Sequence, residues 1–198
     1  MNSLYNKNTI PAIKVVFIGD SGTGKSSLII RKLKNKFEET QSTIGAGYNQ
    51  LKVNNLVLNL WDTAGQERFK SLIPIFFRGG DMFIIVYDIT NVYSFNNIQY
   101  WIDEINKHSV NPLIMIVGNK LDLEPNYKVP EFDHPILLVS AKTGYNVDGI
   151  FESISCIFSD KIQHLEKRSL NGTLLNLDQK SESKMVDWLN PYKYNKCW

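Results

Sequence analysis

The sequence predicts an α/β fold in which a mostly parallel sheet is covered by helices on both faces. Two patterns lead to this prediction. Short apolar runs rich in β-branched residues alternate along the chain with segments whose apolar residues have helical spacing. Strands that alternate with helices in this way form parallel sheets with both faces buried. The 198 residues, 43% of them hydrophobic, suffice for one well-buried core but leave little room for a second domain.

The first half of the chain predicts a strand, a helix and a hairpin. The apolar run from Ala12 to Gly19 is typical of a buried strand. Lys25 to Lys36 carries apolar residues at helical spacing, with basic residues between them. Tyr48–Val53 and Leu56–Trp61 flank the dipeptide Asn54-Asn55. This dipeptide is a tight-turn signal, so we expect the two segments to pair as a hairpin.

The second half predicts three further strands and two helices. Two buried strands are expected at Met82–Asp88 and Leu113–Asn119. Between them, a helix is expected from Asn91 to Ser109, capped by Thr90 or Asn91. A short strand at Ile136–Val139 and a helix at Asp148–Lys167 complete the predicted elements.

The chain is expected to consist of one folded domain between two flexible ends. Residues 1–11 are a polar lead-in, residues 12–167 form the domain, and residues 168–198 are a polar tail with short helical order around Met185–Leu189. We expect a cytoplasmic monomer, because the amino terminus resembles no signal peptide and no apolar stretch reaches membrane-spanning length. The 22 basic and 20 acidic residues give a net charge of +2, which argues against a dedicated nucleic-acid binder.

The strongest motif is G-D-S-G-T-G-K-S at residues 19–26, which fits G-x-x-x-x-G-K-[ST]. Its glycines allow backbone N–H groups to wrap phosphates, Lys25 reaches the β and γ oxygens, and the Ser26 hydroxyl binds Mg²⁺. The alternative is a glycine turn that merely precedes a helix. The motif stands between a predicted buried strand and a predicted helix, as a P-loop requires, so the P-loop is favoured.

A second motif, D-T-A-G-Q at residues 62–66, directly follows the strand that ends at Trp61. Asp62 can hold Mg²⁺ through water, Gly65 can bring a backbone N–H to the γ-phosphate, and Gln66 can orient the attacking water. Taken alone, an ordinary turn at a strand end explains the pattern equally well. The P-loop before it shifts the balance towards the functional interpretation.

Two further motifs follow the last two strands. In N-K-L-D at residues 119–122, Asp122 can accept hydrogen bonds from N1–H and the 2-amino group of guanine, which adenine does not offer. Asn119 can also recognise a purine edge, and the stem of Lys120 can lie against the ring. Ser140-Ala141-Lys142 is weaker, with a plain loop as the alternative. All the motifs stand at carboxyl ends of strands, where open α/β sheets bind ligands.

A polar loop after the first helix completes the predicted site. The Thr43 hydroxyl can join the Mg²⁺ ligands only when a γ-phosphate is present, which would make the loop a sensor of the bound nucleotide. Phe37 can flank the base, or it is a core aromatic at the helix end. The predicted nucleotide-binding residues are Ser21, Gly22, Thr23, Gly24, Lys25, Ser26, Ser27, Phe37, Thr43, Gly65, Asn119, Lys120, Asp122, Ser140, Ala141 and Lys142; the catalytic residues are Lys25, Thr43 and Gln66; and the metal ligands are Ser26, Thr43 and, through water, Asp62.

Over residues 12–160, the order of these motifs resembles the Ras superfamily of small GTPases. The stretches I-G-A-G-Y at 44–48, W-D-T-A-G-Q-E at 61–67, R-F-K-S-L at 68–72 and F-F-R-G at 76–79 resemble its Rab branch, and S-T-I-G-A-G-Y is closest to the endocytic, early-endosomal subgroup. The resemblance implies a six-stranded small G domain, slow hydrolysis of GTP, and partners that exchange nucleotide, activate hydrolysis or act as effectors. It also implies an effector surface at Tyr48, Trp61 and Phe76, for which three half-buried packing aromatics are the alternative.

The chain departs from this family in three places. Only residues 123–139 separate Asp122 from Ser140, and they carry three prolines, which predicts a shortened helical region there. The segment Phe37–Thr43, called switch I below, is one residue shorter than usual. Rabs commonly end in two prenylated cysteines, whereas here Cys197 stands alone before Trp198. Lipidation of Cys197 and an unmodified thiol are equally supported, and one lipid chain holds a membrane only weakly.

The sequence therefore predicts a GTPase switch with Mg²⁺ as cofactor, acting in vesicle traffic on the cytosolic face of endosomal or other membranes. A scaffold that binds nucleotide with little turnover is the alternative, and Gln66 and Thr43 count against it. An ATP-using P-loop enzyme is disfavoured by Asn119 and Asp122. No arginine in the chain is placed to assist hydrolysis in cis, so we expect a partner to supply one.

Overall fold

The computed structural model describes residues 10–65, 73–124, 134 and 136–171. Within these residues the chain forms six strands and five helices. The strands are Ala12–Ile18 (β1), Ala46–Val53 (β2), Leu56–Thr63 (β3), Met82–Asp88 (β4), Leu113–Asn119 (β5) and Ile136–Leu138 (β6). The helices are Lys25–Lys34 (α1), Ile73–Phe77 (α2), Val92–Asn96 (α3), Ile98–His108 (α4) and Val147–Asn171 (α5).

The strands form one sheet in the order β2-β3-β1-β4-β5-β6. Only β2 runs antiparallel to its neighbour within this sheet, and it pairs with β3 over the whole of its length. The turn between them begins at Asn54, whose φ of 52° lies in the left-handed region that asparagine tolerates. The structure thus confirms the predicted mixed, mostly parallel six-stranded sheet and its hairpin.

The sheet buries both of its faces, because successive residues of its central strands point to opposite sides. On β1, Val15 and Phe17 pack with α1 and α5, whereas Val16 and Ile18 pack with α2, α3 and α4. Strand β4 is buried along its entire length. The core therefore lies in two layers, and it leaves the loops at the carboxyl ends of the strands to form a site.

The predicted helix from Asn91 to Ser109 is two helices, α3 and α4, so this prediction was wrong in its continuity. The break falls at Asn97, whose ψ of −4° departs from helical geometry and whose side chain donates to Asp20 at 2.7 Å. The predicted cap is confirmed at Asn91, which accepts hydrogen bonds from the N–H groups of Tyr93 and Ser94.

Several other boundaries differ from the predictions by one to four residues, such as the start of β2 at Ala46 rather than Tyr48 and the end of β3 at Thr63 rather than Trp61. Helix α1 ends at Lys34 rather than Lys36, because Asn35 takes a left-handed conformation with φ of 51°. Helix α5 extends past the predicted end at Lys167 to Asn171. The short helix α2 was not predicted. Most of the shortened region between Asp122 and Ser140 lies outside the described residues, as do the two predicted flexible ends apart from their inner few residues.

Among the described helices, none is both long enough and apolar enough to cross a membrane.

Candidate nucleotide-binding site

A cleft of about 460 Å³ opens at the carboxyl ends of β1, β3, β5 and β6. Its walls are the P-loop, the start of α1, switch I and the loops that follow β3, β5 and β6. All of the predicted nucleotide-binding residues line this cleft except Thr23 and Ser140. The structure therefore brings together motifs that are more than 100 residues apart in sequence, as the strand-end argument predicted.

Thr23 and Ser140 stand behind the wall of the cleft, each with 1% of its surface exposed. The Thr23 hydroxyl donates to the carbonyl of Asp20 at 3.0 Å. The Ser140 hydroxyl donates to Oδ1 of Asp122 at 2.6 Å, and it accepts a hydrogen bond from the N–H of Thr143 at 3.1 Å. Ser140 therefore holds the lining residue Asp122 in place, and Thr23 braces the P-loop at Asp20.

Lys25 lies at the phosphate end of the cleft, in the first turn of α1. Its ammonium group donates to the carbonyls of Gly19 and Asp20, both at 2.8 Å. Burial lowers the pKa of Lys25 to about 8, against the opposing effect of the carboxylates of Asp62 and Asp20. Both of these hydrogen bonds go to neutral carbonyls. A bound phosphate group would therefore give this buried ammonium a directly hydrogen-bonded anionic partner.

Two glycines of the predicted set are required by the close approach of neighbouring groups. A Cβ built on Gly24 would lie 2.2 Å from Nδ2 of Asn119, and Gly24 also has a φ of +93°. A Cβ on Gly65 would lie 2.5 Å from backbone atoms of Gly19, Asp20 and Ser21. Gly65 therefore packs directly against the backbone of the P-loop. Because glycine has no side chain, the loop after β3 can come this close to the phosphate end of the cleft.

Three oxygen-bearing side chains meet where switch I reaches the P-loop. The hydroxyls of Ser26 and Thr43 are 3.0 Å apart, and the Thr43 hydroxyl donates to Oδ2 of Asp62 at 3.4 Å. Within the described residues, Oδ1 of Asp62 is buried with no hydrogen-bond partner. Burial raises the pKa of Asp62. Hydroxyl and carboxylate oxygens are the ligands that Mg²⁺ prefers, so these residues fit the predicted metal.

At the opposite, base end of the cleft, Asn119 ties two loops together. Its Nδ2 donates to the carbonyl of Thr23 at 2.9 Å, and its Oδ1 accepts from the N–H of Ala141 at 3.0 Å. Asn119 therefore fixes the P-loop relative to the loop after β6, which adds to the purine contact predicted from sequence. This second task was not visible in the sequence, because both of its partners are backbone groups.

Asp122 and Lys120 have distinct partners at the base end. One oxygen of Asp122 accepts from Ser140, and the other lies 3.9 Å from the ammonium of Lys142. Lys120 pairs with Asp88 at 2.6 Å, across the ends of neighbouring strands β4 and β5. Burial acts to raise the pKa of Asp88, but hydrogen bonds from Lys120 and Thr90 prevail and leave it below its ordinary value.

Switch I supplies more of the cleft wall than the sequence indicated. Phe37 and Thr43 both line the cleft, and Phe37 is 42% exposed, so it is not a core aromatic. The intervening residues Glu39, Thr40, Gln41 and Ser42 line it too, as do Thr63 and Leu123. The Thr40 hydroxyl lies 3.3 Å from that of Ser27 on α1. The sequence indicated residues 39–42 as cleft residues only through their position between Phe37 and Thr43, which were both predicted to belong to the site.

The aromatic residues predicted to contact effectors lie beside one another outside the cleft. The ring centroids of Tyr48 and Trp61 are 5.4 Å apart, and those of Trp61 and Phe76 are 6.0 Å apart. Tyr48 is 53% exposed, and the ammonium of Lys14 lies 5.0 Å from the Trp61 ring centre. The three rings therefore form one continuous surface. Gln66 and Cys197 lie outside the described residues.

Comparisons with known proteins agree with this geometry. Residues 14–158 match the Ras family. Ras-related protein RHN1 of Nicotiana plumbaginifolia is 43% identical over 157 residues, which cover 72% of this chain and 78% of that protein. These similarities support the Rab branch that the motifs resemble. The chain therefore belongs to the Ras family of small GTPases, within its Rab branch, and hydrolyses GTP.

Proposed function

We propose that this GTPase is a molecular switch that hydrolyses GTP slowly and regulates vesicle traffic on the cytosolic face of endosomal or other membranes. The observation that most directly supports a switch is the 3.0 Å contact between the hydroxyls of Ser26 and Thr43. It joins switch I to the P-loop at the point where a γ-phosphate would lie. A change at that phosphate would be transmitted directly to a polar, mostly exposed segment.

Recognition of GTP is proposed to be divided between the two ends of the cleft. At one end, the P-loop N–H groups and Lys25 would hold the β- and γ-phosphates. At the other, Asp122 would accept from N1–H and the 2-amino group of guanine. With adenine, the carboxylate would lose those donors, which costs several kcal/mol. The hydrogen bond from Ser140 supports this assignment because it fixes one carboxylate oxygen in place.

Mg²⁺ is the proposed cofactor, with Ser26, Thr43 and, through water, Asp62 as the residues that would hold it. When bound, the ion would neutralise charge on the β- and γ-phosphate oxygens. Ser26 belongs to α1, Thr43 to switch I and Asp62 to β3. Their three chain segments would thus be held together at one point in the GTP form.

Hydrolysis is proposed to proceed by in-line attack of water on the γ-phosphorus, giving GDP and phosphate. Lys25 would stabilise the charge that develops on the phosphate oxygens, and Gln66 would orient the water. The arginines whose side chains are described, Arg31 and Arg78, do not line the cleft. We therefore propose that an activating partner supplies an arginine, worth roughly 10³–10⁵ in rate.

Single-turnover hydrolysis of GTP tests this assignment of Gln66. Gln66→Leu should lower both the intrinsic rate and the activator-stimulated rate, because leucine cannot orient water. Gln99→Leu on the exposed face of α4 is the matched control and should hydrolyse GTP at the wild-type rate. Unchanged rates in Gln66→Leu would refute the role of Gln66, and no measurable turnover by the wild-type chain would favour the nucleotide-binding scaffold.

The proposed partners are an exchange factor, a GTPase-activating protein and effectors of the Rab type. Ras-superfamily GTPases generally interact with such partners. The continuous surface of Tyr48, Trp61 and Phe76 is the proposed effector surface. Its aromatic rings are partly exposed, and they adjoin the end of β3, where Asp62 would help to hold Mg²⁺.

Cys197 is the proposed lipid attachment site. Intact mass of the chain from its own cells tests this, since lipidation adds a mass shift that maps to Cys197.

A further inference from the structure

Arg31 is a cationic side chain beside the cleft that the proposed catalytic and binding roles do not use. It lies half-buried in the last turn of α1. Its Nε donates to the carbonyl of Ala141 at 2.7 Å, and its Nη2 donates to the carbonyl of Lys142. Its Nη1 donates to the carbonyl of Asn35 at 3.2 Å. One guanidinium group thus contacts two segments that are far apart in sequence.

The first two contacts fix the orientation of the loop after β6. In a trans peptide the C=O and N–H groups point in opposite directions. Holding the carbonyls of Ala141 and Lys142 towards Arg31 therefore turns the next N–H groups away from it. One of these, the N–H of Thr143, donates to Ser140, and Ser140 in turn donates to Asp122. The guanidinium is connected in this way to the carboxylate that would read guanine.

The third contact lies at the end of α1, two residues before switch I. Asn35 ends α1 in a left-handed conformation, and its N–H donates to the carbonyl of Arg31 at 2.8 Å. Phe37 follows and lines the cleft. Arg31 therefore binds the last turn of α1 through both its backbone and its side chain, and it restrains the chain that leads to Phe37.

Building on the guanine-binding function proposed above, we propose that Arg31 is a positioning residue that holds the two walls of the base end together and so sets the rate of guanine nucleotide release. The planar fork of a guanidinium can serve several carbonyls at once, whereas the ammonium of lysine is a single point of charge. The nucleotide can leave only when the loop after β6 and switch I separate, and Arg31 opposes that separation.

Release of a fluorescent GDP analogue from the full chain tests this inference. Arg31→Ala should release the nucleotide about tenfold faster, since it removes charge-assisted hydrogen bonds to two carbonyls of one loop. Arg31→Lys should fall between this variant and the wild type, because it restores one donor group but not the fork. Lys32→Ala is the matched control. It removes a positive charge from the same turn, but its partner is Asp148 on α5, and its release rate should equal the wild-type rate.

The rate at which bound GTP is hydrolysed in a single turnover separates positioning from general damage. Arg31 does not touch the phosphate end, so loosening of the base end should speed release without a matching loss in hydrolysis. Release at the wild-type rate in Arg31→Ala, or an equal loss in hydrolysis, would overturn the role of Arg31 while the guanine site stood. Failure of the wild-type chain to bind the GDP analogue would instead overturn the proposed function, and this inference with it.

Discussion

At the scale of single residues, Ser140 shows how a side chain outside the cleft can control binding within it. Ser140 is almost fully buried, and its hydroxyl donates to Asp122 at 2.6 Å. Ser140→Ala should weaken GDP binding about tenfold, because a hydrogen bond to a charged group is worth about 1.5–3 kcal/mol and its loss frees the carboxylate to turn. Calorimetric titration of the nucleotide-free protein measures this change.

Thr143→Ala is the control for Ser140→Ala, since it removes a hydroxyl from the same loop. The Thr143 hydroxyl accepts a hydrogen bond from the N–H of Tyr145 and does not touch Asp122. This variant should bind GDP nearly as well as the wild type. Equal affinities for Ser140→Ala and the wild type would contradict the positioning of Asp122 by Ser140.

Gly65 and Gly47 are a matched pair of glycines on either side of Asp62, one of the residues that would hold Mg²⁺. A Cβ on Gly65 would lie 2.5 Å from P-loop backbone atoms, whereas a Cβ on Gly47 would make an ordinary contact of 3.7 Å with Asp62. Gly65→Ala should destabilise the fold by about 1–3 kcal/mol, as overpacking does. Gly47→Ala, within strand β2, should be neutral or slightly stabilising. Urea unfolding of both variants measures their free energies of unfolding. Comparable losses of stability in the two variants would refute the steric argument.

At the scale of elements, helix α4 anchors the P-loop through Asp20. The indole N–H of Trp101 donates to Oδ1 of Asp20 at 2.9 Å, and Nδ2 of Asn97 donates to Oδ2 at 2.7 Å. Trp101→Phe should cost about 1–3 kcal/mol, because it removes a donor from a carboxylate that stays in place. In an Asp20→Ala background the same substitution should cost clearly less. If the losses in the free energy of unfolding are additive in this double-mutant cycle, Trp101 and Asp20 are not coupled and the proposed anchor is wrong.

The pair of Asp88 and Lys120 joins the ends of β4 and β5 and makes stability depend on pH. The pKa of Asp88 is lower in the folded chain than its ordinary value of 3.8. Its contribution is therefore fully present above about pH 4, and it is lost as the pH falls through the folded-state pKa. Asp88→Asn should lower the free energy of unfolding by about 1–3 kcal/mol at pH 6.5 and by less at pH 3. Equal differences at both values would contradict this assignment.

The accuracy of the sequence predictions differed between elements for physical reasons. Strands such as Met82–Asp88 and Leu113–Asn119 were predictable to the residue, because uninterrupted apolar runs are what a doubly covered strand requires. The break at Asn97 was not, and the side chain of Asn97 donates to Asp20, which lies 77 residues away. No periodicity within a helix records a distant partner.

At the scale of the whole molecule, the two-layered core brings the carboxyl ends of the five parallel strands to one edge of the sheet, where the described residues form the cleft. The P-loop, Asn119 and Asp122 could be predicted to line this candidate site because their side chains or glycines carry the proposed chemistry. The contacts of Arg31 could not be predicted, since two of its three carbonyl partners lie about 110 residues along the chain. Backbone groups carry no residue signature, so a side chain that serves them can be recognised only in the folded structure.

We expect this cleft to bind guanine nucleotide through the P-loop at one end and Asp122 at the other. The most direct measurement is the identity of the nucleotide released when the purified chain is denatured, followed by rebinding to the nucleotide-free protein. Stoichiometric GDP or GTP, which rebinds to the wild type and fails to rebind to Asp122→Ala, is the expected result. Adenine nucleotide in its place, or a protein that rebinds no guanine nucleotide, would contradict the claim.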